Sequence, residues 1–71
     1  MSLLHYMILD TLKKNNNRWM SCQEIVDDIH TNISPRVTYA QVYCAIHSIL
    51  HLCILEKDIV DAKHVRYRIY Q

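Results

Sequence analysis

There is no glycine anywhere in this chain, no phenylalanine, and only one proline and one tryptophan. Without glycine it has neither a phosphate-cradling Gly-rich loop nor a glycine-flanked nucleophile elbow, which removes the commonest nucleotide-binding and hydrolase motifs. Glu24, Asp27 and Asp28 read as one solvated helix face and give no apposed carboxylate pair for acid–base work. No enzyme is expected.

Other absences narrow the class further. No stretch approaches the ~20 apolar residues of a membrane span. The start, Met1-Ser2-Leu3-Leu4-His5, lacks the basic region and cleavage site of a secretory signal. Cys22, Cys44 and Cys53 are odd in number and form no C-x-x-C pair, so free thiols in a reducing compartment, the cytoplasm, are expected. Excess charge of one sign is missing too. Eight Lys and Arg against seven Asp and Glu leave a net charge of +1, so any basic face must come from sorting rather than from the total. Bases gather at Lys13, Lys14 and Arg18 and again at Lys63, Arg66 and Arg68, with Arg36 between.

What remains is globular: 51% hydrophobic and 21% charged over 71 residues, enough for one small domain spanning 1–71. Leu3, Leu4, Met7, Ile8 and Leu12 recur at helical spacing, and Asn15-Asn16-Asn17 supplies residues that tolerate the left-handed turn closing a helix. Arg18-Trp19-Met20 reads as a short extended link, with Trp19 expected in the core. Ser21-x-x-Glu24 is a capping box opening a second helix with Ile25, Val26 and Ile29 on its apolar stripe, fading near Thr31-Asn32. Pro35 marks a connector. The third helix has two candidate starts, at Ser34 with Pro35 in the first turn or at Thr38 with Gln41 as box partner, and the second is preferred. Val42, Ala45, Ile46 and Ile49 then face inward to about Leu52. Period-two alternation takes over at Leu55–Val60 and Val65–Tyr70, a hairpin. With no Gly at Asp61-Ala62-Lys63-His64, a loose loop of about four residues is expected over a tight two-residue turn. The fold class is therefore α+β, mainly α. Three helices precede a C-terminal β-hairpin wing, and the Trp19 link can pair as a short extra strand.

Projected on a helical wheel, the third helix (about 39–52) points Ala40, Tyr43, Cys44, His47, Ser48 and His51 outward. Tyr39, Gln41, Tyr43, His47, Ser48 and His51 offer donors and acceptors suited to base edges or phosphates, with Arg36 just ahead of them. In the wing (about 55–70), Lys63, Arg66 and Arg68 supply the cations for a phosphate backbone, with His64 beside them. These are the expected DNA contacts. The same residues also admit a plainer reading as a solvated helix face and as charges guarding a strand edge. Cys44, His47 and His51 share a helix face at spacings of three and four and are the candidates for a metal site, although the spacing matches no usual zinc pattern. No metal or other cofactor is expected. Cys22, at a helix start, could have its pKa lowered by the helix terminus, but burial beside Trp19 is the preferred reading. Histidines on the outer face would gain charge as pH falls, predicting tighter DNA binding at pH 6 than at pH 8.

The run Arg18-Trp19-Met20-Ser21-x-x-Glu24-Ile25 resembles the strand-then-helix opening of bacterial winged helix-turn-helix regulators. Ile49-Leu50-x-x-Cys53-Ile54-Leu55-Glu56-Lys57, followed by Val65-Arg66-Tyr67-Arg68-Ile69, is similar to their passage from third helix to wing, with Cys53 where Gly is common. The Trp19 opening and the Arg-Tyr-Arg-Ile ending look like small enterobacterial transcriptional regulators of the CaiF/GrlA type. The resemblance implies a regulator that contacts duplex DNA through its third helix and wing. A dimer is expected because one such module makes few base contacts. The rival expectation is a winged-helix protein-interaction module, an anti-activator or adaptor, which the low net charge favours.

Overall fold

A computed structural model describes all residues, Met1–Gln71. Helix α1 (Leu3–Lys14), strand β1 (Met20–Ser21), helices α2 (Cys22–Asn32) and α3 (Tyr39–His51), and strands β2 (Leu55–Asp61) and β3 (His64–Ile69) follow in that order. The strands form one antiparallel sheet in the order β1-β3-β2, so the last strand of the chain lies at its centre. Three helices against a three-stranded sheet with a terminal hairpin is the winged-helix arrangement.

Local chemistry sets each helix boundary. Ser2 precedes α1, and its N–H donates to His5 Nδ1 at 2.9 Å. At the far end Asn16 (φ 60°) and Asn17 (φ 53°) are left-handed. Asn16 N–H returns to the Lys13 carbonyl and Asn17 N–H to that of Leu12, a Schellman closure that satisfies carbonyls the helix leaves open. Ser21 and Glu24 form the reciprocal box of α2, Glu24 N–H donating to Ser21 Oγ and Ser21 N–H to Glu24 Oε1. Of the two candidate starts for α3, Thr38 holds: Gln41 N–H donates to its Oγ1 at 3.1 Å, and Thr38 N–H donates to Gln41 Oε1 at 2.9 Å. Ser34 serves the connector instead, accepting from Arg36 N–H.

The α3 terminus repeats the α1 solution without asparagine. Cys53 N–H donates to the Leu50 carbonyl and Ile54 N–H to that of Ile49, which requires Cys53 at φ 60°. A left-handed conformation is natural for glycine and costs a Cβ-bearing residue about 1–2 kcal/mol. Cys53 is exposed and free. The chain accepts this strain to turn directly from α3 into the wing.

The core draws on every element. Ile8 and Leu12, then Ile25, Val26 and Ile29, then Val42, Ile46 and Ile49 meet Met20, Leu55 and Tyr67 of the sheet. The inward stripe of α3 is as the sequence spacing indicates. Trp19 is not in this core. Met20, its neighbour, turns inward and is 1% exposed. Alternation along a strand therefore sends Trp19 to the outer side of the sheet.

The hairpin corrects a second expectation. Only Ala62 and Lys63 separate the strands, and Asp61 pairs with His64. A two-residue turn without glycine splays strands whose right-handed twist favours positive φ at the turn. Neither residue has positive φ. The mismatch is absorbed by a bulge at Val60, between the Ile59–Val65 and Asp61–His64 pairs. Asp61 replaces the missing glycine chemistry by accepting from Lys63 N–H at 2.8 Å, an Asx-type closure.

Candidate nucleic-acid interface

At ~1.5 Å per residue, α3 is about 20 Å long and narrow enough for a major groove. Its outer side is a row of aromatic rings one turn apart. Tyr39 and Tyr43 lie nearly parallel with centroids 6.2 Å apart, and Tyr43 and His47 are 4.3 Å apart and tilted by 55°. Gln41, Cys44, Ser48 and His51 are exposed beside them. Every residue expected to face outward does so, and none is buried by the rest of the chain. Gln41 is half committed, because its Oε1 holds the helix cap, leaving its amide N–H groups to donate. The helix itself carries no Lys or Arg.

Cations flank this row. Arg36 stands exposed in the connector ahead of α3, and the His30 ring, bonded to the Val37 carbonyl, helps fix that connector. Lys63 stands at the wing tip. Neither has an acidic partner within salt-bridge distance. Between α3 and the wing runs an open cleft of about 480 Å³, lined by Tyr39 and Tyr43 on one wall and Lys63, His64 and Arg66 on the other. Its floor is the start of α2, at Ser21 to Glu24. The α2 residues at this floor, Gln23 among them, are absent from the sequence-derived set. The capping box at Ser21 marks a helix start but not its position beneath the wing, which only the β1–β3 pairing determines.

Arg66 and Arg68, expected to meet the phosphate backbone, are each ion-paired within the sheet. Both project from the central strand, where acids on β2 stand directly across: Arg66 opposite Asp58 and Arg68 opposite Glu56. Arg66 is ion-paired to Asp58, and Arg68 Nη2 lies 3.3 Å from Glu56 Oε1. Trp19 covers both, its ring 4.2 Å from the Arg68 guanidinium carbon and 5.8 Å from that of Arg66. Each arginine thus lies between an indole face and a carboxylate, an arrangement that favours a planar guanidinium over an ammonium. His64 is also engaged, its Nδ1 being 2.8 Å from Asp61.

Burial pushes the Cys22 thiol up, against a hydrogen bond from Tyr39 that works the other way. Burial therefore governs Cys22, and the low-pKa alternative at the helix start does not hold. The nearby Cys22 raises the Tyr39 phenol in turn, so Tyr39 keeps its proton as a donor. No group of three or more His, Cys, Asp or Glu side chains is placed to hold a metal ion. Cys44, His47 and His51 share a face but do not converge.

No family model matches the chain, and no curated protein is significantly similar to it. Among solved structures, the chain is similar to the ferric uptake regulator from Francisella tularensis, determined with iron, at a TM-score of 0.89 and 20% sequence identity. All of the present chain is covered, and it spans about half, 53%, of that regulator's length. At this identity the likeness establishes the winged-helix fold.

Proposed function

We propose that this chain is a DNA-binding transcriptional regulator that lays α3 in the major groove and sets its wing against the backbone. The observation carrying this reading is the outer side of α3. It is a firmly capped helix whose Tyr43, His47, Ser48 and His51 side chains are exposed and unused by the cap, with Tyr39 and Gln41 beside them, flanked by the two cations without acidic partners, Arg36 and Lys63. Tyr43, His47 and Ser48 meet base edges; Arg36 and Lys63 meet phosphates. Arg66 completes the wing side of the cleft. Arg68 and Trp19 contribute by holding Arg66 and the wing in position. The protein acts in the cytoplasm as a single winged-helix domain, and the similarity of its opening and ending to regulators of the CaiF/GrlA type agrees with a bacterial regulator.

One observation favours the rival, a winged-helix module that binds protein: α3 carries no Lys or Arg, and its exposed tyrosines suit a protein groove as well as DNA. Fluorescence anisotropy of a labelled duplex against salt concentration separates the two. DNA binding by Arg36 and Lys63 gives an affinity that falls steeply with salt, each lost phosphate contact reducing the logarithmic slope by about 0.9. A duplex that does not bind even at low salt leaves the protein-binding module.

A further inference from the structure

The outer side of α1 is an apolar surface that the fold leaves uncovered away from the DNA face. While Ile8, Thr11 and Leu12 turn fully inward, Leu3 is 72% exposed and Tyr6 56%. Ile33, at the end of α2, adds a further exposed apolar side chain at 43%. Together with Met7 and Leu9 these line a shallow depression of about 500 Å³. Its polar members are Asp10 and Lys13. They lie about one helical turn apart on the same face, one acid and one base, and neither enters an intramolecular ion pair. Lys14, the next residue, turns away to Asp28 at 2.5 Å.

We propose that this face binds a second copy of the chain. A two-fold contact uses the same patch on both subunits and so must be complementary to itself. An apolar patch bearing one unpaired acid and one unpaired base meets that requirement. The Asp10 carboxylate of each copy pairs with the Lys13 ammonium of the other, twice by symmetry, around Leu3, Tyr6 and Ile33. The face shares no residue with α3, the wing or the cleft between them, so a dimer leaves both DNA-facing surfaces available. The proposal does not depend on DNA binding.

The test is sedimentation equilibrium of the full chain from micromolar to millimolar concentration, with circular dichroism confirming that each variant is folded. The wild type is expected to associate reversibly to a dimer. Asp10→Lys and Lys13→Asp each place like charges in contact and are expected to weaken association at least about tenfold, and the double exchange D10K/K13D to restore it. Tyr6→Glu gives a monomer. A wild type that stays monomeric throughout, single reversals without effect, or a double exchange that fails to restore association would each overturn the proposal. Because the readout is mass without DNA, its failure is distinct from failure of the DNA reading.

Discussion

Asn17 and Ile69 exchange two hydrogen bonds across the fold. The Asn17 amide donates to the Ile69 carbonyl at 3.0 Å, and Ile69 N–H donates to Asn17 Oδ1 at 2.7 Å. A side-chain amide here continues the β1–β3 ladder where β1 itself has not begun. The residue that ends α1 thereby also anchors the central strand. A two-residue strand would otherwise hold the β3 end only weakly.

Asn17→Ala is expected to cost about 2 kcal/mol in urea denaturation, because it strands a donor and an acceptor and places a Cβ-bearing residue without Asn's local bonds at positive φ. Asn17→Gly keeps the backbone conformation and loses only the bridge, so it should cost less than Ala. Equal losses would show that the bridge alone matters.

Cys53→Gly should stabilise the protein by about 1 kcal/mol, since glycine takes the left-handed position without the Cβ penalty, partly offset by its freer unfolded chain. Cys53→Val should destabilise it. A melting temperature unchanged in both variants would contradict the strained closure of α3.

Stability should fall as the solution is acidified below the ordinary carboxylate range. Burial opposes the charged form of Asp28, but hydrogen bonds from Lys14, Asn15 and Asn32 outweigh it and hold the carboxyl below its usual value. The bond from Ser21 N–H, with Arg18 assisting, does the same for Glu24. A carboxyl depressed in the folded state contributes stability that is complete above its unfolded pKa and is lost as pH falls through the folded one. Asp28→Asn should therefore flatten the acid limb of a stability-versus-pH curve measured by urea denaturation, leaving a smaller loss between pH 5 and pH 2.

The cations of the connector and the wing should divide into two kinds. Lys63→Ala and Arg36→Ala are expected to leave stability almost unchanged while lowering DNA affinity and its salt slope. Arg68→Ala should do the reverse, costing about 1 kcal/mol through loss of the Trp19 and Glu56 contacts and leaving the slope intact. Paired anisotropy and melting measurements check both. Arg68→Ala with a reduced salt slope would return Arg68 to the DNA contacts.

The three helices and three of their end signals are legible in the sequence because the chemistry is local: Ser21 with Glu24, Thr38 with Gln41, and the Asn15–Asn17 stop all lie within one turn of what they control. The outer row of α3 follows from periodicity alone. The sheet is less legible. That β3 occupies the centre, with Trp19 over Arg68 and Glu56 across from it, depends on pairing between segments far apart in the chain. Charge counting along the sequence does not show that cross-strand register sets Asp58 opposite Arg66 and Glu56 opposite Arg68. The tight turn at Ala62-Lys63 was hidden because its compensation, the bulge at Val60, lies outside the turn.

The central claim is that α3 and the wing tip face DNA, and NMR titration of the labelled protein with a random-sequence duplex at two salt concentrations tests it most directly. Amide shifts confined to residues 36–51 and 63–66, weakening as salt rises, are the predicted result. A spectrum unchanged by duplex at low salt would contradict the claim and make a protein the partner of α3.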